Sequence, residues 1–174
     1  MNKIYGIFGV VSGVISSAFL YFYYHKELYT MRENNLLFRS FSILILGLCV
    51  TFAIIAAKKI NGNTISFMRC MFTGLMVSLI NGLVNFAFFT LLYFSSPQIL
   101  VKPEQIAKEQ FKQNTEIARD TTINMEQAME SIHTQFTPGG FLLPSIFTSM
   151  IFGILTSIFV TAFVYTRTDQ HLKV

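Results

Sequence analysis

MFTGLMVSLINGLVNFAFFTLLYF, residues 71–94, decides how the rest of the chain is read. The run holds no charged residue and is longer than the ~20 residues a helix needs to cross a hydrocarbon core. Yet it keeps two asparagines, Asn81 and Asn85, one helical turn apart. Three more runs, residues 4–24, 40–57 and 141–165, are equally poor in charge and close to or above spanning length. Of 174 residues, 52% are hydrophobic and 13% charged, against about 25% charged in soluble domains. Helices buried in a soluble bundle keep a polar face, and these runs have none. The expected fold is an all-α membrane protein, a four-helix bundle of transmembrane spans forming a single membrane domain over residues 1–174.

The first run has signal-peptide features, with Lys3 before it and a small-x-small pattern at residues 16–18. Its apolar stretch continues through FLYFYY, past the ~7–15 residues of a signal core, so a retained span is expected. Tyr5, Tyr21, Tyr23, Tyr24, Tyr93 and Tyr165 fall at span ends, where a ring with a polar tip suits the headgroup level. Cys49 and Cys70 have neither metal-type spacing nor the pattern of a disulfide framework.

The formal charge of +4 is spread through the connections, which fits membrane orientation and not a nucleic-acid surface. With an even number of spans both termini share one side. The connection KKINGNTISFMR carries Lys58, Lys59 and Arg69 without an acid, which places it and the termini in the cytoplasm.

Residues 95–140 then form the one sizeable extracytoplasmic segment. Pro103 followed by Glu104 marks a helix start, and Pro138-Gly139-Gly140 a stop. Phe111, Ala118, Met125 and Ile132 recur every seven residues, with Met129 and Phe136 one turn after Met125 and Ile132, giving a thin apolar seam. That seam either packs on the protein itself or faces a partner, as an amphipathic helix laid in a groove would. Asp120-Thr121-Thr122-Ile123 is poor in helix propensity, so the segment is one helix of about 50 Å or two helices broken there. Residues 102–136 hold four basic against six acidic side chains, which disfavours lying on anionic lipid.

On the third span Gly74, Ser78, Asn81, Gly82 and Asn85 share an arc of roughly 100°. Comparable stripes are Gly6, Gly9, Gly13 and Ser17 on the first span, Gly47 and Thr51 on the second, and Ser149, Gly153 and Ser157 on the fourth. Small residues at four-residue spacing let helix backbones approach, and an asparagine among them bonds across the seam. Packing is therefore the expected role of the stripe, and a solute path the alternative. Proton or cation transport commonly uses ionisable groups within the membrane, and none lies in the four runs.

No catalytic constellation is visible. His25, His133 and His171 sit in separate segments without ligand spacing, and the acids of residues 104–130 interleave with Lys and Arg as a solvated face does. No glycine-rich phosphate loop occurs. The expectation is a non-enzyme without cofactor or metal. Its partners are membrane lipids and either a second copy of itself or another membrane or envelope protein, with no nucleic acid.

Lys58, Lys59, Asn61, Gly62, Ile65, Ser66 and Phe67, leading into a glycine- and serine-bearing span, resemble the middle of the domain-of-unknown-function 4199 family of small bacterial four-span proteins. Residues 125–130 and Pro138 to Phe141 resemble that family's Glu-, Gln- and Met-rich extracytoplasmic segment and the lead-in to its last span. Arg69, Met71 and the extra glycine of FTPGGF depart from the pattern. The resemblance implies a bacterial inner membrane and no assigned activity. What remains is a structural or interaction role through the extracytoplasmic segment, with a small-solute transporter or channel along the third span as the alternative.

Overall fold

The structure, a computed structural model, describes residues 2–27, 32–118 and 124–164, with side chains for 3–27, 40–114 and 124–164. Residues 120–123, Tyr165, His171 and the side chain of Ala118 lie outside the described residues. The described residues form six helices and no strand: α1 (Asn2–His25), α2 (Arg32–Ile60), α3 (Phe67–Ser95), α4 (Gln98–Ala118), α5 (Met125–Gln135) and α6 (Pro138–Val164). Four of these, α1, α2, α3 and α6, contain stretches long and apolar enough to cross a membrane. Residues 98–135 therefore supply two helices, α4 and α5, on either side of the Asp120–Ile123 sequence.

Burial is arranged as a lipid-solvated protein needs it. Large apolar side chains point outward, with Ile7 60%, Phe52 54%, Phe159 68% and Phe163 75% exposed. Small and hydroxylic residues point inward, and Ser12, Ala53, Thr73, Ser78 and Ser157 are fully buried. A water-facing surface could not carry so continuous an apolar area, and lipid offers no drive to hide it. α3 packs most extensively on α6 and α1, while α2 meets α1, α6 and, across the middle, α3. The section is thus a diamond with α2 and α3 on its short diagonal.

Two apolar clusters hold the ends. One joins Tyr5, Val50, Ile54, Val77 and Val160, and Ile65 from the α2–α3 connection plugs its end. At that end Lys58 Nζ donates to the Val164 carbonyl (2.9 Å), which places a cation on the C-terminal turn of α6. The other cluster joins Leu20, Phe89, Leu92 and Leu100, flanked by Phe141. Phe141 lies flat on Phe89, with centroids 4.0 Å apart and planes at 10°.

Leu100 corrects the helix start read at Pro103. α4 begins at Gln98, five residues earlier, and Pro103 lies inside it. The Ile99 and Leu100 amides donate to Ser96 (3.1 Å) and Pro97 (3.0 Å), so the helix opens with a tight turn that carries Leu100 into the cluster. Burial of Leu100 outweighs the intrahelical bond that Pro103 removes. Pro138-Gly139-Gly140 likewise both stops α5 and starts α6, with Pro138 at the first helical position and Thr137 Oγ1 accepting the Gly140 amide at 3.3 Å. The tyrosines also divide. Tyr21 faces outward, whereas Tyr5 and Tyr23 are 6% exposed, Tyr5 meeting Phe72 edge-on at 5.9 Å.

Candidate functional site

Every member of the α3 stripe except Asn85 is buried, and Asn85 is half-buried. Gly74 faces Gly153 of α6 so closely that a Cβ on Gly74 would meet the Ser157 hydroxyl and lie 3.0 Å from the Gly153 carbonyl. Gly82 takes the Ile146 backbone in the same way, with Cα 3.0 Å from a built Cβ. On the opposite flank, α1 receives Ile80 and Val84 at Gly9 and Gly13.

The asparagines bond along these contacts. Ser12 Oγ of α1 donates to Asn81 Oδ1 (2.9 Å), and Asn81 Nδ2 donates to Ser149 Oγ of α6 (3.1 Å). Asn81 therefore ties three spans together at one level. One turn on, Ser17 Oγ donates to Asn85 Oδ1 at 3.0 Å. An amide in hydrocarbon must find partners, and each such bond contributes on the order of 0.6–2 kcal/mol.

Other buried hydroxyls return to their own helix. Thr73 Oγ1 donates to the Arg69 carbonyl (2.7 Å), and Ser157 Oγ to that of Gly153 (2.7 Å). Two do not. Ser16 and Ser78 are 5% and 0% exposed, and neither Oγ has a hydrogen-bond partner among the described residues. Ser78 is pressed against Gly153. Ser16 instead lies in the wall of a cavity of about 520 Å³ bounded by Ser42 and Leu46 of α2, Asn81 and Asn85 of α3, and the 141–152 face of α6. Sequence reading found the stripe of α3 but not this cavity, nor Ser12 and Ser149 as the partners of Asn81. The four-residue spacing of Ser149, Gly153 and Ser157 was the available signal.

Outside the spans, α4 and α5 lie side by side. The Glu104 carboxylate receives Lys108 Nζ (2.6 Å) and His133 Nδ1 (2.8 Å). Partial burial pushes the Glu104 carboxyl up, but the hydrogen bonds and charges of Lys108 and His133 together outweigh it and hold it below its ordinary value. Lys102 pairs with Glu27 beyond α1 (2.5 Å) on an exposed surface, where such a bond contributes little. Of the seam residues, Phe111, Met129, Ile132 and Phe136 are half-buried and Met125 is 37% exposed. α5 contains no buried residue. Asn124 caps it, accepting the Glu126 amide (3.1 Å) and the Gln127 amide (3.3 Å).

Among the described residues no group of three or more His, Cys, Asp or Glu side chains is placed to hold a metal ion. Cys49 and Cys70 are buried free thiols.

No curated protein and no solved structure matches the chain. The family model described as protein of unknown function (DUF4199) matches residues 7–166, from the first span through the last. The stripe, the hairpin and the connections between them all fall inside that match, and the chain belongs to this family.

Proposed function

We propose that the chain is a non-catalytic accessory or scaffold protein of a bacterial inner membrane, with both termini in the cytoplasm, whose α4–α5 hairpin contacts another membrane or envelope protein. The observation that carries this reading is the contrast between Asn81, whose amide is spent on bonds to two neighbouring spans, and α5, which buries no residue. The first makes a firm support and the second leaves a surface to be used. On α5 Glu126 and Glu130 are exposed, as is Glu109 on α4, so the partner the hairpin suits offers lysine or arginine, which would steer encounter and fix orientation. The acid-free Lys58, Lys59 and Arg69 connection supports the orientation.

A photo-crosslinker at Ser131 in the full-length protein, in its native membrane, tests this. The reading expects one adduct with a different protein, lost when Glu126 and Glu130 are changed to Lys. An adduct of two identical chains would make the partner a second copy, and adducts with lipid alone would overturn the reading. The competing role, a transporter or channel for a small solute along the α3 stripe, requires flux that changes when Asn81 or Asn85 is replaced while stability does not.

A further inference from the structure

We propose that the cavity behind Ser16 is a binding site for an uncharged, lipid-soluble molecule carrying an alcohol or carbonyl oxygen, taken sideways from the bilayer between α2 and α6. The site does not depend on the partner contact of the α4–α5 hairpin. Its volume of about 520 Å³ falls in the ~300–1,000 Å³ range of small-molecule sites.

The geometry gives the route. α2 and α6 touch where a Cβ on Gly47 would lie 3.6 Å from Thr156 Oγ1, and again where Lys58 reaches Val164. Beyond Gly47, toward α4 and α5, the space between the two helices is the cavity. Pro144 on its α6 wall has no amide to donate, so the Gly140 carbonyl loses its usual helical partner on this side. Pro144 and Thr148 are exposed at the rim, beside Leu44 (57%) and Phe147 (59%), which belong to the outward apolar surface. The mouth therefore opens among side chains that face lipid.

The lining gives the ligand class. Ile43, Leu46, Phe141 and Phe152 supply apolar walls. The floor supplies Asn85 Nδ2, whose amide bonds only through its oxygen among the described residues, and beside it lies Ser16 Oγ, buried in the wall and unpartnered. Unlike Ser157, Ser16 does not bond back to its own helix, so its hydroxyl remains unsatisfied in a medium where that is costly. An amide N–H can only donate, so an occupant that pairs with Asn85 Nδ2 must offer an acceptor oxygen. No Lys, Arg or His lines the site, so a carboxylate would be stripped of water without compensation.

The test uses the whole chain in nanodiscs of phosphatidylethanolamine and phosphatidylglycerol, with a diazirine-bearing hexadecanol as probe. Expected adducts map to residues 42–46 and 141–152. Unlabelled hexadecanol should compete, whereas hexadecane and the permanently charged hexadecyl sulfate should not. Ser16→Ala should weaken labelling about fivefold, the loss of one hydrogen bond, with thermal stability retained. Equal competition by hexadecane would mean that the cavity is merely a gap filled by acyl chains. Adducts spread over the outer faces, with none at the cavity, would mean that it holds at most water. Either result overturns the proposal on the unaltered protein, whatever the variant does.

Discussion

Gly74 and Gly153 sit face to face between α3 and α6, each so near that a Cβ on one would lie about 3 Å from the other's carbonyl oxygen. The built Cβ atoms also collide with Ser157 and Ser78, short side chains fixed in the same contact. Gly74→Ala should therefore force α3 and α6 apart and lower stability by about 1–3 kcal/mol. Gly6→Ala, with nothing within 4 Å of its built Cβ, should leave stability unchanged or raise it, by at most the ~1 kcal/mol of helix propensity. Thermal unfolding in a mild detergent distinguishes the two signs.

Asn81 and Asn85 should not respond alike. Asn81→Ala removes two bonds between spans and strands Ser149 and Ser12, at about 1–2 kcal/mol in total. Asn85→Ala removes one, at nearer ~0.6 kcal/mol. Unfolding of α1–α3 contacts in bicelles, followed by a cysteine pair across that face, where both asparagines bond, should rank the variants in that order. A larger loss for Asn85 would show that the three-span tie is not the stronger one.

The α4–α5 contact should be sensitive to acid. Since the folded Glu104 pKa is depressed, its contribution is fully present above the unfolded carboxylate value of ~4.3. It fades as pH falls through the lower, folded value. The protection of the 125–135 amides, relative to the free-chain exchange rate at each pH, should fall in that acidic window. Glu104→Gln should lower that protection at neutral pH and remove its acid dependence. An acid step of the same size in the variant would assign the effect to other carboxylates.

Gly140 and Gly139 form a matched pair. A Cβ on Gly140 would run into the Thr134 carbonyl of α5, whereas one on Gly139 meets nothing within 4 Å. Gly140→Val should dislodge α5 and expose residues 125–135 to protease, while the spans stay folded. Gly139→Ala should leave the cleavage pattern as it is. Limited proteolysis with intact-mass readout is sufficient to tell them apart.

How much of this could be read from the chain follows from what periodicity encodes. The arc holding Gly74, Ser78, Asn81, Gly82 and Asn85 belongs to one helix, so 3.6-residue geometry makes it legible. Ser12 and Ser149 belong to other helices, and nothing in a single sequence sets the register that brings them to Asn81. The start of α4 was misplaced because Pro103 is a strong local signal, while the burial of Leu100 against Leu20 and Phe89 is a tertiary fact. Tyr5 and Tyr23 lie near the span ends, but that their rings turn inward there is a matter of packing that one helix does not encode. The cavity depends on where α2 and α6 part beyond Gly47, a distance between elements that composition does not carry.

The link between Ser12, Asn81 and Ser149 also orders biogenesis. Ser12 precedes Asn81 by 69 positions and Ser149 follows it by 68. During synthesis the first and third segments can pair as soon as Asn81 leaves the insertion machinery, while its amide nitrogen waits for a residue not yet translated. The hairpin must be made before that last bond can close. Until then a three-segment intermediate holds one polar group open to the hydrocarbon. Such an intermediate is the natural client for any chaperone that escorts half-built membrane proteins.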